Sequence, residues 1–236
     1  MKKTALVTGG AIRIGRAIVE ALAESGYRVI IHYGHSETPA KELSQWMTEQ
    51  QYEHCCVQCD LSSPESTDQL FSLLPESFRS PDVLVNSAAV FPEGDDWQHL
   101  PTHWQSIMNI NAYAPLSLSR QFALQNQGGH IINILDARLN RPMGDHFVYR
   151  MAKGVLHDAT LNLARELAPD IQVNALALGA ILPPPGKPQS HLERLKESIP
   201  LNRVGDLSMV QSSVLYLLSQ PFLTGQIIKL DGGEFL

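Results

Sequence analysis

At 236 residues the chain fits one large α/β domain, and 44% hydrophobic with 18% charged residues is the make-up of a globular protein with a sizeable core. A formal net charge of −6 gives no general attraction to nucleic acid or to an anionic membrane surface. The opening MKKTALVTGG meets glycines too soon for a signal-peptide core, and no apolar run approaches the length of a membrane span, so the expectation is a cytoplasmic protein.

Thr4 to Thr8 (TALVT) predicts a short buried strand. GGAIRIG follows at once, and then RAIVEALAESG, in which Ile18, Val19, Leu22 and Ala23 recur at helical spacing before Gly26 ends the helix. RVIIHY, β-branched and apolar, predicts a second strand. Strand, glycine turn, helix and strand within about 30 residues is the βαβ unit that binds dinucleotides. Gly9 and Gly15 let the backbone approach a pyrophosphate, and the helix N-terminus offers amide donors to it. Arg13 stands where a middle glycine would be expected, and its fork suits a phosphate or a planar polar ligand. The second strand ends in HYGHSE, with no carboxylate before Glu37; Tyr33, His35 and Ser36 suit a 2′-phosphate better than a bare ribose, which favours NADP over NAD.

A helix from Pro39 to Gln50 leads to a strand in HCCVQCD, where Cys56 and Cys59 nominally make a CxxC. On a strand these two point to opposite faces and cannot easily pair or share a metal, which leaves the three cysteines as structural thiols of a reducing compartment. A helix over Glu65 to Leu74, a buried strand reaching Asn86, the loop FPEGDDWQHL and a long helix from Thr102 to Asn126 follow. Within that helix Asn109 and Asn111, weak helix formers, are expected to face solvent. GGHIINILD is the next strand and delivers Asp136 at its C-terminal end. A helix carrying Tyr149 and Lys153 runs to Leu167, and IQVNALALG is a further strand. Ile181 to Ser190 (ILPPPGKPQS) is Pro-dense and predicts a lid beside the site, within a substrate loop near 181–198. Helices over His191 to Ser198 and Leu207 to Ser219 and a strand in QIIKLDGG complete the chain.

Strands alternating with helices predict a single Rossmann-type domain over 1–236: a doubly wound parallel sheet of about seven strands with helices on both faces. Ligands of such sheets bind at the C-terminal strand ends, which here carry Gly9, Tyr33, Asp60, Asn86, Asp136 and Gly179. Tyr149 and Lys153, four apart on one helix face, put an ammonium within reach of a phenol, a pairing that favours phenolate and prepares a proton donor.

Taken in order, TGGAIRIG, Asp60-Leu61, the Asn86 loop NSAA, Asn111, Tyr149 with Lys153, and LDGG resemble the short-chain dehydrogenase/reductase family over nearly the whole chain. Within it the TGxxxRxG turn, the strand end HYGHS and Asp136, 13 residues before Tyr149 where most members have serine, look like the pteridine reductases and their dihydromonapterin-reducing relatives. The resemblance implies an NADPH cofactor held by Gly9, Arg13, Ile14, Gly15, Tyr33, His35, Ser36, Asp60, Leu61, Asn86, Ala88, Gly179, Tyr149 and Lys153. It implies hydride transfer to a C=N carbon of a pterin or dihydropterin, with Tyr149 giving the proton and Lys153 binding the nicotinamide ribose and lowering the phenol pKa. Asn111 would hold a water, Asp136 would orient the tyrosine and feed it a proton, and Phe91 and Arg13 would flank the flat ring. Departures from the pattern are His35 for arginine, Leu178 for proline before Gly179, and Ser87 and Ala89 in the Asn86 loop. Relatives commonly form homotetramers. The alternatives are a carbonyl reductase of the same family, acting for example on a 3-oxoacyl thioester, and a non-catalytic NADP-sensing protein.

Overall fold

The protein is seen here as a computed structural model that describes residues 2–140, 145–188 and 190–236. Residues 141–144, between Asp136 and Tyr149, and Gln189 of the Pro-dense segment lie outside the described residues. The strands are β1 (Thr4–Val7), β2 (Arg28–Tyr33), β3 (His54–Gln58), β4 (Val83–Asn86), β5 (Gly129–Asp136), β6 (Ile171–Leu178) and β7 (Ile227–Leu230). They form one parallel sheet in the order β3-β2-β1-β4-β5-β6-β7, as the alternation of elements predicts. Chain order reverses between β1 and β4, so the C-terminal ends of these two strands frame the crevice of a doubly wound sheet.

The α-helices are α1 (Arg13–Glu24), α2 (Glu37–Glu49), α3 (Pro64–Gln69), α4 (Leu100–Met108), α5 (Ala114–Gln125), α6 (Phe147–Glu166), α7 (Ser190–Glu193) and α8 (Leu207–Ser219). Period-two alternation sends Val7, Val29 and Ile31 into the layer holding Ile18, Leu22, Leu43 and Val214, and Leu6, Ile30 and Leu84 into the opposite layer with Leu118, Phe122 and Ala164. Each of these side chains is almost free of solvent, and each contributes about 1.5–3 kcal/mol by burial for the larger ones. Two apolar layers on one sheet are what the continuous hydrophobic runs of the central strands require.

Four expected elements differ. The helix expected over Glu65 to Leu74 is α3 followed by a 3₁₀ turn, Leu70–Leu73. The helix from Thr102 to Asn126 is two helices joined by a wider turn, Asn109–Tyr113, in which the Ala114 amide reaches back five residues to the Asn109 carbonyl. Pro115 has no N–H to continue the ladder, so the chain widens just before it. Asn109 and Asn111 are buried there, not solvent-facing as propensity suggested. The helix expected over His191 to Ser198 is one turn of α7 followed by a 3₁₀ turn, Lys196–Ser198. β3 stops at Gln58, and the thiols part: Cys56 reaches toward the Ala40 carbonyl of α2, whereas Cys59 points at the Ser66 carbonyl of α3.

Candidate active site

The turn after β1 is built from contacts only glycine permits. Gly9 has φ +61°, and a Cβ there would stand 2.9 Å from the Ala88 Cα. A Cβ on Gly15 would lie 2.1 Å from the Gly9 carbonyl oxygen, so the first turn of α1 packs directly on the loop backbone. Two polar side chains brace this turn from beneath. Thr8 Oγ1 accepts from the amides of Ser87 and Ala88, both at 3.0 Å, joining β1 to β4 at the crevice. His32 is buried, with Nδ1 3.1 Å from the Gly9 amide and Nε2 3.0 Å from the Cys59 carbonyl, so Nε2 carries the proton and Nδ1 accepts. Burial lowers the His32 pKa to about 4, against a smaller raising effect of that carbonyl, and keeps the ring neutral.

From this turn a cleft of about 480 Å³ runs across the strand ends. Its wall brings together Gly9, Arg13, Ile14, Gly15, Tyr33, His35, Ser36, Asp60, Leu61, Ala88, Phe91, Asp136, Tyr149, Lys153 and Gly179. Asn86 and Asn111 stand apart from it. Asn86 donates to Asn133 Oδ1 at 2.8 Å inside the sheet, and Asn111 clasps the backbone of Val90, accepting from its amide at 3.2 Å and donating to its carbonyl at 3.1 Å. Asn111 thereby fixes the loop that carries Phe91.

Asp136 ends β5, and Tyr149 and Lys153 sit one turn apart on α6. Lys153 is 3% exposed, its Nζ donating to the Ile134 carbonyl at 2.7 Å and lying 5.8 Å from the Tyr149 ring centre. Burial lowers its pKa to about 8, opposed by the Asp136 charge. The phenol departs from expectation: burial first, and Asp136 second, push Tyr149 above its ordinary value, and the charge that pulls it back is Arg138. The expected depression by Lys153 therefore does not describe the protein alone, because desolvation of a phenol at the head of a packed helix outweighs a cation tethered to a strand carbonyl.

Two loops close over the cleft. Arg13, with φ +53°, lines the cleft, and its Nη2 donates to the Pro183 carbonyl at 2.6 Å and ties down the Pro-dense segment, whose Leu182, Pro184 and Pro185 line the wall. Lys187 of the same segment pairs with Glu93 at 2.9 Å. Phe91 meets the edge of Tyr149 at 4.7 Å and stacks on His146 at 3.6 Å. Asp95, 3% exposed, caps α6 from this loop: its two carboxylate oxygens accept from the Val148 and Tyr149 amides, both at 2.9 Å, and its carbonyl accepts from the Phe147 amide. Asp95, His32, Thr8 and Arg138 were all missed from sequence. Only Arg138, two residues beyond Asp136, carried a local signal.

The donor set fits a dinucleotide. The glycine cradle would be filled by any Cβ, and α1 begins without a side-chain cap or an acidic residue in its first turn, leaving its amides to an anion. A family model described as Enoyl-(Acyl carrier protein) reductase matches residues 10–234. The chain belongs to this family, the short-chain dehydrogenases/reductases, and is an oxidoreductase. Among solved structures it is similar to FolM alternative dihydrofolate reductase 1 from Brucella suis in complex with NADP, at 33% identity and TM-score 0.92 over 98% of this chain and 94% of that one. Among curated relatives it is 33% identical to 2,3-dihydroxy-2,3-dihydro-p-cumate dehydrogenase of Pseudomonas putida, covering 98% of this chain and 94% of the relative. It is 29% identical to the 3-oxoacyl-[acyl-carrier-protein] reductase FabG of Staphylococcus epidermidis over the full length of both.

Proposed function

We propose that the protein reduces a pterin or dihydropterin with NADPH. The observation that carries this is a carboxylate, Asp136, on the cleft wall beside Tyr149, where a hydroxyl would serve a simple ketone. A charged carboxylate accepts hydrogen bonds only, which suits the N–H-rich edge of an aminopyrimidine. The likeness to a reductase of a reduced-pterin compound solved with NADP supports the same reading. When bound, the nicotinamide supplies the hydride. Lys153 would hold the ribose, Tyr149 would give its proton to the substrate nitrogen, and Asp136 would orient ring and phenol. Asn111 keeps Phe91 in place against the ring through Val90. Tyr33, His35 and Ser36 line the cleft and would receive the 2′-phosphate.

The second reading, reduction of a 3-oxoacyl thioester, has the FabG likeness behind it. Side-by-side NADPH oxidation with dihydrobiopterin, dihydromonapterin, dihydrofolate and acetoacetyl thioester separates the two. Turnover of a pterin-type substrate and not the thioester is expected; the reverse result transfers the assignment to the ketone. NADPH binding without consumption of any of them would make the protein a sensor. We assign it to the cytoplasm as a homotetramer, the latter supported by an exposed apolar row on α6, Phe147, Met151 and Val155, at four-residue spacing.

A further inference from the structure

We propose that Arg138 is part of the reaction centre, a positioning residue that fixes the Asp136 carboxylate and offsets the charge left on Tyr149 when its proton departs. The inference rests on Tyr149 being the proton donor, not on which substrate takes the proton.

Arg138 belongs to the short 3₁₀ turn Ala137–Asn140 that follows β5. Its backbone amide donates to Asp136 Oδ1 at 2.8 Å, and its side chain covers both oxygens of the same carboxylate, Nε to Oδ1 at 3.3 Å and Nη2 to Oδ2 at 3.5 Å. Three donors on one carboxylate fix its plane as well as its position. The turn is in turn anchored to the catalytic helix: Arg150, the residue after Tyr149, donates through Nη2 to the Arg138 carbonyl at 3.0 Å. Asp145 lies between the two arginines, 3.9 Å from Arg138 Nη1 and 3.7 Å from Arg150 Nη1. The charged and titratable groups around the guanidinium are thus Asp136 on β5, Asp145 and His146 ahead of α6, and Tyr149 and Arg150 on α6, while Lys153 feels the same Asp136 charge.

The need for this cation follows from the site. Proton donation by Tyr149 leaves a phenolate in a buried place where the Asp136 charge repels it. Lys153 is drawn toward the Ile134 carbonyl, whereas Arg138 lies two-thirds buried on the cleft wall, its side chain 33% exposed, and acts on the phenol against both burial and Asp136. A guanidinium serving only a surface ion pair would have no reason to line the cleft.

The test compares parent, R138Q, R138K and D136N by kcat, KM and the pH profile of kcat, using both the pterin and thioester substrates, with NADPH affinity followed by fluorescence. For R138Q kcat is expected to fall about 10-fold or more. Its high-pH limb is expected to move upward by on the order of one unit, because removing the cation makes the phenol hold its proton more tightly. NADPH affinity should stay within about 2-fold, the change expected when no cofactor contact is lost. D136N removes the opposing charge and should move the limb the other way. R138K keeps the charge and loses the fork: kcat falls and the limb stays, which also serves if R138Q does not fold. Parent-like kcat and limb in R138Q overturn the proposal, as does a lower kcat with the limb unmoved and R138K no better than R138Q. If only the thioester is reduced but the limb shifts as described, Arg138 keeps its role and the pterin assignment falls.

Discussion

The phenol of Tyr149 is 9% exposed and held protonated by burial and by Asp136, so at neutral pH it begins each turnover with a proton to give. Replacing it with phenylalanine keeps the packing of Val148 and Ala152 around it and removes only that proton. Steady-state turnover of Y149F should fall by at least about 10²-fold with NADPH binding unchanged. A second residue-scale consequence concerns His32. Its folded pKa of about 4 lies below the ordinary value, so between roughly pH 6.5 and 4 the unfolded chain takes a proton that the folded protein refuses. Stability is therefore lost as pH falls through that window, and at pH 5 the loss from this one group is about 2 kcal/mol. Urea unfolding at pH 7 and at pH 5 should show a steeper acid loss for the parent than for H32Q, whose amide cannot titrate.

At the scale of elements, α6 carries the reacting side chains yet has no cap of its own. His146 precedes it in a left-handed conformation and contributes no side-chain cap bond. Asp95 supplies the cap from the loop after β4, so Phe91 and Tyr149 are positioned by one shared clamp. D95A leaves the Val148 and Tyr149 amides without partners at a cost of about 1–3 kcal/mol. Its melting temperature should drop by roughly 2–4 °C for each kcal/mol lost, and the substrate KM should rise more than the NADPH Kd, which depends on the other end of the cleft. An equal change in both constants would mean that the clamp does not act on the substrate side.

Across the whole molecule, the parallel sheet with its order reversal between β1 and β4 brings the loops that line the cleft to one edge. The opposite demand is placed on α6, whose outer row of Phe147, Met151 and Val155 is 40 to 44% exposed in the single chain. If the proposed homotetramer buries this row, a charge in it should block the contact: M151E is then expected to lower the assembly mass measured by light scattering while leaving the fold intact. An assembly mass unchanged by the substitution would remove α6 from the proposed interface.

The glycine turn and the pair Tyr149 and Lys153 were legible because their meaning is local: φ above zero at Gly9, backbone contact at Gly15, and a four-residue step on a helix. The order of alternating elements was enough for the parallel sheet as well. Asp95 was not legible, since its partners lie 53 and 54 residues away and an acid in a polar loop looks like any other. Asn111 was misplaced because helix propensity averages over exposed positions, and cannot see that Pro115 widens the turn or that Val90 waits with two unpaired backbone groups. The glycine turn, the parallel sheet and the placing of Asp136 at a strand end and of Tyr149 with Lys153 on one helix were thus determined by sequence alone. The direction of the phenol's pKa and the cation that answers it were decided only by tertiary structure, because desolvation and Coulomb sums depend on which distant side chains share the same dry volume.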